Sequence, residues 1–310
     1  MIDQSKFWER PNWLFCLLLP FLHFASIRLT YLWAVTPENV VVFWVPNAVL
    51  LAAILRFRGQ RALLLAALTF TSDVLANLHA LPLHVALMLG IVNQGEVLLT
   101  FWLLMRSGAS PRLHRIQDFL KFSLTGPVLV SMAAGMTAAA VLHHVAGFKA
   151  PYFTLARLWW FSDGLGMFIF TPLLLAFTLR QPRLRLARID IAILGGALLM
   201  TAAVLSAQGG VIDGVSVTPT LLLPVVALIA LRYGARLTTL FVAVVSMATA
   251  LMMTSGMKPF GDVPVHLGVV RTQEFILTLC MIGIGFAVLI NEVRAREREL
   301  EERVRERTRE

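Results

Sequence analysis

The sequence has little charge: only 15% of its 310 residues are Asp, Glu, Lys or Arg, while 58% are hydrophobic. About a quarter of the residues of a typical soluble domain are charged, so this composition argues against a single soluble core. The formal net charge of +9 does not indicate a nucleic-acid partner. The basic residues form short clusters between long apolar runs instead of one basic face.

Cysteine is also scarce, and Cys16 and Cys280 both fall in apolar runs. A disulfide framework or a zinc site is therefore not expected. His143 and His144 point about 100° apart on a helix and have no evident third ligand, so we predict no metal site. No P-loop, HExxH, CxxC pair or GxSxG motif occurs. We predict no cofactor and no catalytic activity for this chain by itself.

Long apolar runs dominate what is present. A membrane-spanning helix needs roughly 17 to 25 apolar residues, and runs of about this kind predict an all-α membrane protein with a bundle of about ten transmembrane helices. Eight is the alternative, because the second, third and eighth runs are short and a re-entrant segment could replace one of them. The predicted spans lie near 13–35, 40–55, 62–78, 83–105, 119–142, 155–179, 189–207, 221–231, 237–253 and 272–290.

The distribution of basic residues predicts the orientation. Loops on the cytoplasmic side retain Lys and Arg, and a cytoplasmic N-terminus with ten spans places 22 of the 27 Lys and Arg residues on that side. We therefore expect a multi-pass protein of the bacterial cytoplasmic (inner) membrane, surrounded by lipid, with both termini in the cytoplasm. The outward loops are short, so an external signal would be detected by the bundle itself or by a partner protein.

The residues after the last span have a different composition. We divide the chain into a membrane domain, 1–291, and a cytoplasmic signalling helix, 292–310, which is rich in Glu and Arg and lacks Gly and Pro. Val293, Leu300 and Val304 form a sparse apolar seam that is consistent with a parallel dimeric coiled coil, so we expect a homodimer whose tail leads to a following effector domain. The alternative is a solvated helix with no partner.

Several ionisable and amide side chains are predicted to lie inside the bilayer, where a charge costs on the order of 3 kcal/mol. A rise of about 1.5 Å per residue puts four of them in one layer about 8 to 12 Å below the outer surface: Arg28, Asn47, Asp73 and Asp163. Arg28 is therefore expected to meet two or three acidic groups.

Glu96 lies deeper, and helical spacing places Asn93 on its face and Asn77 on the face of Asp73. Three interpretations of these polar residues remain open: hydrogen-bonded contacts between spans, a ligand-binding pocket, or an ion or proton pathway. Trp159 and Trp160 are typical of an interfacial aromatic belt, with a cation-binding cage as the alternative.

Three stretches together resemble the MASE1 family of membrane sensory domains. The first contains Phe43-Trp44-Val45-Pro46-Asn47 and a basic turn that ends at Arg61. The second is Asn93-Gln94-Gly95-Glu96-Val97, and the third is Trp159-Trp160-Phe161-Ser162-Asp163-Gly164-Leu165-Gly166. Two positions depart from the family's usual residues: Asn47 precedes the small Ala48 where a small residue is commoner, and Val97 stands where Ala is usual.

The resemblance implies the input domain of a bacterial sensor histidine kinase or, as the alternative, of a diguanylate cyclase. It gives added weight to Asn93, Glu96 and Asp163, which the residue chemistry already selects. Trp160 is a further candidate for sensing a ligand or signal. We expect a small anionic or zwitterionic molecule, or a membrane partner, to engage Arg28, Glu96 and Asp163. A transporter-like protein and a passive dimerising anchor are the competing interpretations.

Overall fold

The computed structural model describes residues 11–36, 41–179, 186–212 and 214–308. Some residues used in the sequence analysis lie outside the described part of the chain. They are residue 40 of the second predicted span, the turn 37–39, and the basic residues Lys6, Arg10, Arg180, Arg183, Arg185 and Arg309.

The described residues are helical apart from connecting loops and a small hairpin. Ten helical segments follow one another: α1 Trp13–Trp33, α2 Pro46–Arg56, α3 Ala62–Asn77, α4 Leu83–Arg106, α5 Ile116–Val145, α6 Tyr152–Thr178, α7 Arg188–Ser206, α8 Pro219–Tyr233, α9 Ala235–Thr254 and α10 Val265–Arg307. Two short strands, β1 Val211–Ile212 and β2 Val215–Ser216, pair antiparallel between α7 and α8.

Seven of these helices are long and apolar enough to cross a membrane: α1, α4, α5, α6, α7, α9 and α10. The shorter apolar helices α2, α3 and α8 correspond to the three predicted spans with the weakest boundaries. The all-helical membrane architecture is thus confirmed. The hairpin between α7 and α8 was not predicted.

The expected start of the second span at residue 40 is wrong. Residues 41–45 are not helical, and α2 begins at Pro46. The Val42 N–H donates to the Ala34 carbonyl at 2.7 Å, and the Trp44 N–H donates to the Ser162 carbonyl at 2.8 Å. Non-helical backbone at such a position is tolerated in a membrane protein where neighbouring helices bond its polar groups.

The α5 helix departs from regular α geometry twice. Residues Leu124–Val130 and Val141–Val145 form π-helical turns, and Pro127 lies inside the first of them. Proline lacks the N–H of a regular helical hydrogen bond, which accounts for a local change of helical pitch here. Such π turns inside α-helices occur frequently at functional sites.

The α6 helix lies at the centre of the bundle, where it contacts α2, α5, α9 and α10. In the apolar 18-residue stretch of α6, 72% of the residues are buried inside the protein, whereas the corresponding value for α7 is 22%. The α7 helix is therefore peripheral, and most of its apolar surface faces outward.

The last helix, α10, continues without interruption for 43 residues, from Val265 to Arg307. Its apolar part packs against α6, α8 and α9, and its charged part carries ion pairs between Glu292 and Arg296 and between Glu299 and Arg303. Val293, Leu300 and Val304 are 43%, 59% and 64% exposed. In a single chain the predicted seam is thus exposed and could contact a second copy. The coiled coil stays a prediction.

Candidate functional site

A buried group of polar side chains occupies the middle of the bundle, where α2, α4, α5 and α6 meet. We call Asn47, Glu96, Ser131 and Asp163 the carboxyl centre. The Asn47 amide donates to Glu96 Oε2 at 2.9 Å and to Asp163 Oδ2 at 3.3 Å, and the Ser131 hydroxyl donates to Glu96 Oε1 at 2.6 Å. All four side chains are at most 2% exposed.

The carboxyl groups of Glu96 and Asp163 are neighbours, because the Asn47 amide nitrogen donates to both of them. A hydrogen bond between two carboxyl groups requires a proton on one of them, because ionised carboxylates only accept. No cationic side chain forms an ion pair with either group among the residues that the structure describes. Two neighbouring buried acids without an ion-paired cation favour a proton or another cationic group between them.

Two glycines of α6 allow the centre to assemble. A Cβ on Gly166 would overlap the Trp44 carbonyl oxygen, and a Cβ on Gly164 would come within 2.6 Å of the Pro127 carbonyl oxygen. Segment 41–45 and the π turn of α5 can thus approach α6 on either side of Asp163. These two close approaches give a physical reason for the glycines in the sequence Ser162-Asp163-Gly164-Leu165-Gly166.

A second polar group lies between α3 and α4. Asp73 Oδ1 accepts from the Asn77 amide at 2.8 Å and Asp73 Oδ2 accepts from the Asn93 amide at 3.0 Å. The Tyr31 hydroxyl donates to Asn77 Oδ1 at 2.7 Å. The predicted shared face of Asp73 and Asn77 is confirmed, while Asn93 bonds Asp73 and not Glu96, its neighbour on the same helix.

The expected meeting of Arg28 with the buried acids is wrong. Arg28 lies on the exposed side of α1, and its guanidinium lies 3.1 Å from His79 Nδ1. The rise per residue of a helix predicts how deep Arg28 lies in the membrane, but not which side of α1 its side chain faces. Ile27, its neighbour, is fully buried instead.

Trp160 lies next to the centre and not in it. Its indole N–H donates to the Pro127 carbonyl at 3.0 Å, so it fastens α6 to the π turn of α5. The buried indole nitrogen of Trp159 has no hydrogen-bond partner among the described residues. Neither tryptophan forms a cation-binding cage in that part of the chain.

Sequence reasoning missed three residues. Ser131 gave no signal, since one serine among small residues is common in membrane helices. Tyr31 also gave little signal in the sequence that would mark it as part of a polar group. Gln273 was not singled out either, yet it is 1% exposed and its amide donates to the Val42 carbonyl at 3.2 Å. Gln273 therefore links α10 to the segment that leads into Asn47.

The fold and the buried centre define a class: a helical integral membrane protein that has an acidic polar centre and one long helix extending beyond the apolar bundle. Within that class, the MASE1 family model matches residues 13–294, so the chain belongs to the MASE1 family. MASE1 domains are membrane sensory domains of signalling proteins. No curated protein and no solved structure matches the chain.

Proposed function

We propose that this chain is the sensory input domain of a bacterial sensor histidine kinase, with a diguanylate cyclase as the alternative effector. It lies in the cytoplasmic membrane with both ends inside, as the distribution of Lys and Arg favours. The chain itself carries out no catalysis. Two copies pair through their tails and pass the signal to the effector.

One observation carries this proposal: α10 contacts segment 41–45 through Gln273 and continues without interruption into the charged tail. The same helix is bonded again where the tail emerges. Glu292 accepts from the Ile116 N–H at 2.8 Å, and Arg294 donates to the Leu231 carbonyl. A shift of α2 or α5 relative to α6 would therefore act on α10 at two levels.

The carboxyl centre is the proposed input. Its side chains are buried, so a ligand reaches them only when the helices separate, and a ligand that binds only one packing shifts the population toward it. Two acids without a nearby Arg28 favour a ligand with a cationic group. Of the two ligand classes considered from the sequence, a zwitterion therefore fits this centre better than an anion. A membrane partner that separates the same helices would act in the same way.

The test uses the full-length protein with its effector, in cells. Glu96→Gln and Asp163→Asn keep the size of each side chain but prevent the two groups from sharing a proton as acids. We expect each variant to change basal output or to abolish the response. The matched control is Glu274→Gln on the exposed side of α10. Unchanged basal output and response in both variants, at normal expression, would refute the proposal.

A transporter-like function is the second candidate, favoured by one observation. The short α2 helix begins beside buried acids after a non-helical segment, and interrupted helices form the binding sites of many transporters. Uptake of a cation or zwitterion by reconstituted protein, lost in Glu96→Gln and retained in Glu274→Gln, would support it. The charged tail argues against it, because transport requires no output helix.

A further inference from the structure

A groove opens at the end of the bundle from which the tail emerges, between the peripheral α7 helix, the end of α8 and α10. Its volume is about 710 Å³. We call it the tail-end groove, and it is lined by Leu186, Asp190, Leu228, Leu231, Arg232, Tyr233 and Arg294. None of these side chains belongs to the carboxyl centre.

The polar side chains of the groove carry a net positive charge. Arg232 donates to Asp190 Oδ1 from Nε at 3.0 Å and from Nη2 at 2.7 Å, which neutralises one guanidinium. Arg294 donates to the Leu231 carbonyl, which is a neutral partner. A guanidinium has five N–H donors, so both arginines keep donors for a further acceptor, and one positive charge is not balanced by a carboxylate of the groove.

The apolar side chain of Leu228 lies deeper in the bundle than these charges. Leu228 precedes Arg232 by four residues and therefore lies on the same face of α8, about 6 Å deeper in the bundle. Leu228 and Leu231 are 66% and 46% exposed. Tyr233 follows at the level where aromatic side chains mark the membrane interface. Charged side chains near the end of the bundle, with an apolar side chain deeper in it, match the headgroup and the acyl chain of a phospholipid.

We propose that the tail-end groove binds an anionic phospholipid of the surrounding membrane. The phosphate accepts hydrogen bonds from Arg294 and Arg232, a geometry that guanidinium groups favour, and an acyl chain lies along Leu228. Basic pockets between transmembrane helices bind anionic headgroups in this manner. Because Arg294 lies at the base of the tail, lipid binding would also fix the tail; that consequence alone rests on the proposed signalling function.

Native mass spectrometry of the purified chain in detergent tests the proposal by comparing phosphatidylglycerol with phosphatidylcholine. We expect tighter binding of phosphatidylglycerol and an affinity about fivefold lower in Arg294→Gln. The matched control is Arg271→Gln, an exposed arginine of the same helix that also donates to a backbone carbonyl, that of Phe260. Its affinity should stay unchanged.

A variant that strengthens binding separates the proposal from misfolding. Asp190→Asn removes the negative charge of the groove and should raise the affinity for phosphatidylglycerol, with Arg294 still in place. Equal affinities for the two lipids, equal losses in both arginine variants, or weaker binding in Asp190→Asn would overturn the proposal.

Two further measurements test other occupants of the groove. Displacement of the lipid by equimolar inorganic phosphate would assign the groove to a soluble anion, and disulfide-linked dimers of Leu228→Cys would assign it to a second copy. Either result would also overturn the proposal.

Discussion

Asn47 has an unusual position because one amide serves two carboxyl groups from two different helices. Glu96 on α4 and Asp163 on α6 would otherwise depend on each other and on Ser131. A buried polar group that loses its partner costs about 1 to 3 kcal/mol. Asn47 therefore stabilises the contact of α2 with α4 and α6, and any change in the protonation of the acids alters what this amide bonds.

The first prediction concerns this shared amide. Asn47→Ala should lower the free energy of unfolding by about 1 to 3 kcal/mol, measured by thermal unfolding in detergent. The loss should be smaller when Glu96 is already replaced by Gln, because the two side chains interact directly. Equal losses in the two backgrounds would show that Asn47 and Glu96 act independently.

The sequence identified the buried polar residues better than their partners. Asp73 and Asn77 belong to one helix, so the spacing of four residues was enough to predict their contact. The bond of Asn47 to Glu96 joins α2 to α4, and it depends on how far each helix slides and rotates in the bundle. Neither quantity follows from periodicity. Gln273 was missed for a related reason, since the sequence does not show which face of α10 meets segment 41–45.

At the scale of helices and segments, the close approach of segment 41–45 to α6 organises the site. It requires a glycine at position 166, where the Trp44 carbonyl occupies the space of a side chain. The proline of α2 was a usable signal, because proline is favoured at the first position of a helix. Hydropathy alone extended the span back to residue 40, since the residues before Pro46 are apolar as well.

The second prediction compares two glycines. Gly166→Ala should destabilise the protein by about 1 to 3 kcal/mol, because the added methyl group forces segment 41–45 away from α6. Gly196→Ala on α7 is the control, since no atom lies within 4 Å of the position of its Cβ. It should be neutral or slightly stabilising. Similar melting temperatures for the two variants would contradict the close approach.

The third prediction concerns the link from segment 41–45 to α10. Gln273→Leu removes the hydrogen bond to the Val42 carbonyl, so the amides of Val42 and Trp44 should exchange with solvent deuterium faster. Hydrogen-exchange mass spectrometry of the peptide that covers 41–45 measures this change. Glu274→Leu, on the exposed side of the same helix, should leave the exchange unaltered. Equal exchange in all three proteins would remove Gln273 from the proposed connection.

At the scale of the whole molecule, one long helix connects the segment that leads into the buried acidic centre to an exposed charged tail. The sequence predicted the helical membrane bundle and the helical tail, because each follows from local composition. Seven of the described helices are long and apolar enough to cross a membrane, so the count of ten spans stays a prediction. The sequence marked as short the three runs that form α2, α3 and α8. It did not predict the peripheral position of α7, because that depends on packing between distant parts of the chain. Dimerisation through Val293, Leu300 and Val304 stays a prediction.

The fourth prediction tests this dimer. Leu300→Cys should form an oxidised dimer in native membranes, whereas Glu302→Cys, on the opposite side of the tail helix, should form little. The native cysteines Cys16 and Cys280 are at most 1% exposed, so they contribute little background. Equal cross-linking at the two positions would indicate chance collisions between tails and not a seam.

The central claim is that the carboxyl centre controls the tail, and cross-linking of Leu300→Cys tests it most directly when Glu96 is varied. We predict that Glu96→Gln changes the rate of disulfide formation at position 300 several-fold relative to the parent, while Glu274→Gln leaves the rate unchanged. An equal rate in all three proteins, at equal expression, would contradict the claim.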